Sequence, residues 1–96
     1  MATYESIAHI LTQVTTAGKQ SIDMGDASGE DLEALRSFTS DVEALIARLK
    51  KQVPVVDNAS LFKDLMDLHR RCTGPLQMFR GWIEDALSVV ETLTPS

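Results

Sequence analysis

Four residues in one short stretch carry side chains able to do chemistry: Asp64, Asp67, His69 and Cys72. His69 and Cys72 stand three positions apart, so a helix brings imidazole and thiol onto one face. There they could hold a soft metal ion, or act as base and nucleophile. Both chemistries need more than two groups. A structural zinc site takes four ligands and a catalytic one takes three plus water, yet the second histidine, His9, belongs to a different helical stretch. Cysteine catalysis needs a base and an orienting group beside the thiol. Cys72 instead falls in phase with an apolar stripe, where burial raises a thiol pKa and blunts the nucleophile. Cys72 is read as a small core residue and His69 as a boundary residue. No catalytic residue, metal or cofactor is assigned.

The remaining polar candidates are weaker. Gly25-Asp26-Ala27-Ser28-Gly29 lacks the lysine and the preceding strand of a phosphate-binding loop. Arg70, Arg71 and Arg80 straddle Gly74-Pro75 and offer a small basic cluster, but the chain carries a net charge of −5 and a pI near 4.8. An acidic surface repels phosphate backbones and is not drawn to anionic lipid, so neither nucleic acid nor membrane is expected as a partner. The three arginines read as a solvated helix face.

The elements that would position these residues follow from periodicity. Tyr4, Ile7, Ile10, Leu11, Val14 and Ala17 keep a helical spacing, capped at Thr3 and ended by Gly25. This predicts a helix from about Thr3 to Met24, bent or frayed near Gly18, where Thr15-Thr16-Ala17-Gly18 lowers helix propensity. Ser28 and Asp31 have the spacing of a capping box for a second helix, roughly Gly29 to Gln52. Its stripe is Leu32, Leu35, Phe38, Val42, Leu45, Ile46, Leu49 and Val53. The acids Asp26, Glu30, Asp31 and Glu33 at its start, and Arg48, Lys50 and Lys51 at its end, complement the helix dipole. Pro54 stops it.

Asp57 or Asn58 caps the next helix, which runs to about Cys72. After Thr73-Gly74-Pro75 the apolar phase continues without slipping through Leu68, Cys72, Leu76 and Phe79, and a last segment runs from Pro75 to about Leu93. An intact phase predicts a sharp kink or tight break, not a wide loop. The expected fold is all-α: an antiparallel up-down-up bundle of three helices, the third kinked or split at Gly74-Pro75, forming a single domain over residues 1–96.

Composition bounds the function. Hydrophobic residues make up 44% of the 96 and charged residues 24%, an ordinary globular balance. A single cysteine forms no intrachain disulfide and fits a reducing compartment. The opening Met-Ala-Thr-Tyr-Glu lacks the basic and long apolar regions of a secretory signal, and no run nears the ~18 apolar residues of a membrane span. The expectation is a cytoplasmic protein.

The last segment carries Leu76, Met78, Phe79, Trp82, Ile83, Ala86, Leu87, Val89, Val90 and Leu93, a face wider than the roughly 100° stripe a one-sided bundle helix needs. A short chain has little of itself to cover such a face. This predicts an interface formed by Leu76, Phe79, Trp82, Ile83, Ala86 and Val90. The expected function is a non-enzymatic protein–protein interaction module: a small acidic helical adaptor, inhibitor or chaperone, paired with another protein or with itself as a homodimer. A structural subunit of a secretion- or phage-type assembly is the alternative. An enzyme centred on Cys72 is the third reading.

Overall fold

Leucine and isoleucine at every third or fourth position build four helices in the computed structural model, which describes residues 4–25, 27–51 and 58–93. They are α1 (Tyr4–Met24), α2 (Glu30–Lys51), α3 (Asn58–Arg70) and α4 (Arg80–Leu93), with a 3₁₀ link (Gly74–Phe79) between the last two. Among the described residues there is no strand. Thr3, Asp26, Val53, Pro54 and Asp57 lie outside the described residues.

Local chemistry sets the observed ends. Gly25 takes φ +72° and its N–H bonds Ile22 O at 3.2 Å, so α1 closes on a glycine in the left-handed region. The cap position of α2 lies one residue beyond the expected Ser28. The first backbone bond of the helix runs from Glu33 N–H to Gly29 O at 3.1 Å, which makes Gly29 (φ +60°) the cap residue in place of Ser28. The acids of the first turn and the bases of the last turn stand as the dipole favours.

α1 stays helical through Thr15-Thr16-Ala17-Gly18. The threonine hydroxyls bond within their own helix, Thr12 to Ala8 O at 2.7 Å, Thr15 to Thr12 O at 2.8 Å and Thr16 to Thr12 O at 2.9 Å. Gly18 is buried against α2, and a Cβ there would come within 2.5 Å of Thr39 Oγ1. The glycine that weakens the helix is what lets α1 and α2 close on each other. Thr39, also buried, donates its hydroxyl to Leu35 O at 2.8 Å.

Direction follows from the pairs that meet. Gly18 lies against Thr39, and Lys19 Nζ reaches Glu43 Oε1 at 3.1 Å. Arg48 pairs with Asp64 and Asp41 with Arg71, so α3 runs antiparallel to α2. α1 packs on α2 and on α4, and α4 packs on α3. The ring is therefore α2–α1–α4–α3. Its fourth side, between α2 and α3, lacks comparable backbone contact and is crossed by the two ion pairs.

The third arm is split, not kinked, and its halves pack side by side. The apolar phase survives the reversal because the link is 3₁₀, with three residues per turn that put i and i+3 on one side. Leu76 and Phe79, three apart, are both buried there. Gly74 (φ +55°) and Pro75 start the link, where proline's missing N–H costs little.

Leu11, Val14, Leu35, Leu49, Leu61, Leu65, Ile83 and Val90 form one continuous core with these residues. Phe38 and Phe79 stack within it at a centroid distance of 5.4 Å and an interplanar angle of 12°. Trp82 lies 6.3 Å from Phe79 at 25°.

The α1–α2 contact makes a stability test available. Gly18→Ala should destabilise the fold by about 1–2 kcal/mol net, overpacking outweighing the ~1 kcal/mol gain in helix propensity. Thr39→Ala in the same chain should recover most of that loss in urea unfolding. Strictly additive losses would show that the two positions do not compete for space.

Candidate functional site

The four residues that could do chemistry do not converge. Cys72 is 1% exposed, and its thiol donates to Leu68 O at 3.3 Å. Burial pushes its pKa up, against a smaller opposing pull from Arg80 and Arg71. The half-buried His69 turns to α4 instead, its Nε2–H donating to Glu84 Oε1 at 3.1 Å. Asp64 is held by Arg48 at 2.8 Å, and Asp67 sits 3.8 Å from Arg70. Among the described residues, no group of three or more His, Cys, Asp or Glu side chains is placed to hold a metal ion.

Each arginine of the basic cluster has an acid beside it. Arg71 Nη1 donates to Asp41 Oδ2 at 2.5 Å and Nη2 to Ser37 Oγ at 3.3 Å, while its guanidinium carbon lies 5.5 Å from the centroid of the Phe38 ring. Arg80 Nε donates to Glu84 Oε1 at 3.2 Å. Glu84 thus accepts from both His69 and Arg80. Its carboxyl is held below the usual glutamate range, first by the His69 hydrogen bond, against an upward push from desolvation, with the charge and hydrogen bond of Arg80 adding to the downward pull.

The expected interface residues are mostly used inside the chain. Leu76, Phe79, Ile83, Ala86 and Val90 are all buried, with Phe79, Ile83, Ala86 and Val90 fully inaccessible. The physical reason is that Ile83, Ala86 and Val90 belong to α4, which packs on α1 and α3, while Leu76 and Phe79 belong to the 3₁₀ link, which packs on α2 and α4. The wide apolar face of α4 meets neighbours in its own fold. Trp82 alone of the six keeps partial exposure.

Among the grooves formed by the described residues, two run between helix pairs. One, of about 260 Å³, lies between α1 and α4, with Trp82 on one wall and His9, Thr12, Gln13 and Thr16 on the other. Its threonine hydroxyls are bonded back into α1, and the side chains of His9 and Gln13 meet at 3.3 Å. The other, of about 230 Å³, lies between α2 and α3, floored by Leu45 and Leu68 and rimmed by the two Arg–Asp pairs. Sequence reasoning passed over this second groove, although its signal is readable: Asp41 and Arg48, and Asp64 and Arg71, are each seven positions apart. The exposed Met24 and Met78 were also not singled out as surface residues. No helix of the described residues is long and apolar enough to cross a membrane. Comparison with protein-family models, curated proteins and solved structures returns no match.

Two outcomes test these assignments. Cys72 should react slowly with a thiol reagent in the native state and quickly once unfolded, with a native rate profile displaced to alkaline pH; fast labelling of the folded chain near neutral pH would reopen nucleophilic chemistry. Glu84 has a lower pKa folded than unfolded. Its stabilising contribution is therefore complete above the ordinary value of 4.5 and disappears as pH falls through the depressed one. Glu84→Gln should flatten the acid-side loss of stability in urea titrations below about pH 4.5. An unchanged acid limb would dismiss the His69–Glu84–Arg80 cluster as a stabilising element.

Proposed function

We propose that this chain is a non-enzymatic protein–protein interaction module, a small acidic helical adaptor, inhibitor or chaperone. The observation that carries this reading is where apolar surface is left over. The 3₁₀ link, the end of α1 and the start of α4 all lie at one end of the bundle. Met24 (73% exposed), Met78 (53% exposed) and the half-buried Trp82 belong to that end. Methionine adapts to irregular apolar partners, and tryptophan is the side chain most enriched where binding energy concentrates. A protein partner laying apolar side chains across this end would cover all three. The net charge of −5 favours such a partner over nucleic acid or anionic lipid. One buried thiol suits a reducing, cytoplasmic setting.

Trp82 is the only tryptophan, so its fluorescence reports directly on this surface. Immobilised wild type should retain a protein partner whose addition to the free chain shifts Trp82 emission. Met78→Glu should weaken that binding at least about tenfold at unchanged far-UV helicity, as expected for a charge placed in an apolar contact. Equal binding by wild type and Met78→Glu, with no change in Trp82 emission, would overturn the assignment. Open-ended polymers formed through this end would favour an assembly subunit over an adaptor.

A further inference from the structure

We propose that a second copy of this chain docks on the α2–α3 face, with α2 against α2 antiparallel about a two-fold axis beside Ala44 and Leu45. This goes beyond the function proposed above: it concerns the side of the bundle across from the α1–α4 groove and names its occupant. The argument starts from charge. Along α2, Asp41 precedes Arg48 by seven positions, nearly two full helical turns, so the two stay on one face of α2. Asp64 of α3 likewise precedes Arg71 by seven, and Arg71, the residue just past the end of α3, is placed at the groove by its bond to Asp41. Because α2 and α3 are antiparallel, Asp41 meets Arg71 at one end of the groove and Arg48 meets Asp64 at the other. The four charges form a rectangle in which every neighbour has the opposite sign.

A two-fold interface requires that if residue i touches j, then j touches i. Most charge patterns put like charges together under that operation. This one does not. Rotation about an axis across the helices sets Asp41 of one copy against Arg48 of the other, and the reverse, with Asp64 and Arg71 continuing the alternation alongside. The intrachain pairs survive, since a carboxylate has two acceptor oxygens and a guanidinium five N–H donors. The side chains of these pairs are only partly exposed, between 35% and 55%, so they stand at the rim of the groove, within reach of a facing surface.

The relief of α2 permits the approach. Ala44, at the axis, is exposed, as are Ser40 and Ala47 on either side of it. Small side chains at these positions allow a second helix to sit close over the Leu45–Leu68 floor of the groove. The four rim charges sum to zero, and the remaining acid of the groove, Asp67, has Arg70 beside it. A polyanion or polycation gains nothing from a neutral rectangle, whereas a second copy matches it charge for charge.

Sedimentation of the full chain over a dilution series should show a reversible dimer that weakens as ionic strength rises. Ala44→Glu leaves both intrachain ion pairs in place and brings two carboxylates together at the axis; it should weaken the dimer at least about tenfold with helicity unchanged. The inverted chain Asp41→Arg, Arg48→Asp, Asp64→Arg, Arg71→Asp should pair with itself and yet form no mixed dimer with tagged wild type in native mass spectrometry. A wild type that stays monomeric at every concentration, an Ala44→Glu chain that dimerises as before, or free mixing of inverted and wild-type chains each overturns the proposal. If the inverted chain does not fold, Ala44→Glu decides alone. None of these substitutions touches Met24, Met78 or Trp82, so partner binding at the other surface is scored separately.

Discussion

The stack of Phe38 on Phe79 is the contact on which the arrangement of the last third of the chain depends. Phe38 sits in the middle of α2, and Phe79 closes the 3₁₀ link just before α4 begins. Both rings are fully buried. An aromatic pair of this kind adds roughly 0.5–1.5 kcal/mol beyond its area burial. Its larger effect is positional, because it pins the reversal between α3 and α4 against α2, a helix that shares little backbone contact with α3. Arg71 extends the arrangement. Its guanidinium covers the outer side of Phe38 while holding Asp41, so one side chain joins the aromatic stack to the ion pairs across the α2–α3 groove.

Much of the fold was legible because the bundle is built by one repeated signal. Leu35, Phe38, Val42, Leu45 and Leu49 recur at helical spacing, and each is buried. Gly25 terminates α1 for the reason its residue type suggests. Two features escaped because their cause is tertiary. Gly18 read as a weakness of α1, and only the position of Thr39 reveals it as a contact requirement. At Gly74-Pro75 the sequence left a kink and a split both open, because the unbroken apolar phase gave no sign of a change of direction. A 3₁₀ turn meets the same spacing while changing direction, and no local pattern separates the two.

The reading of the site shows a different limit. Sequence spacing put His69 and Cys72 on one helix, whereas α3 ends at Arg70 and Cys72 lies two residues past it; nor could spacing give the partners that take them, Leu68 O for the thiol and Glu84 for the imidazole. The breadth of the α4 apolar face was real, and its meaning depended on how many helices surround it. The neighbouring helices take up Ile83, Ala86 and Val90 of α4 and Leu76 and Phe79 of the link, leaving Trp82 at the margin. Periodicity reports which residues avoid water; it does not report whose surface covers them.

The ring order α2–α1–α4–α3 has a consequence for synthesis. α1 is translated first but occupies the position between α2 and α4. Its second neighbour is complete only when Leu93 has been added, about 70 residues after Met24. At translation rates of roughly 5–20 residues per second, that interval is about 4–14 s. Once Lys51 has been added, and until α4 follows, the only partner on hand for α1 from its side of the ring is α2, and the flank that faces α4 in the finished bundle stays open to water. The contacts of α4, with α1 on one side and α3 on the other, are thus the last to form during synthesis.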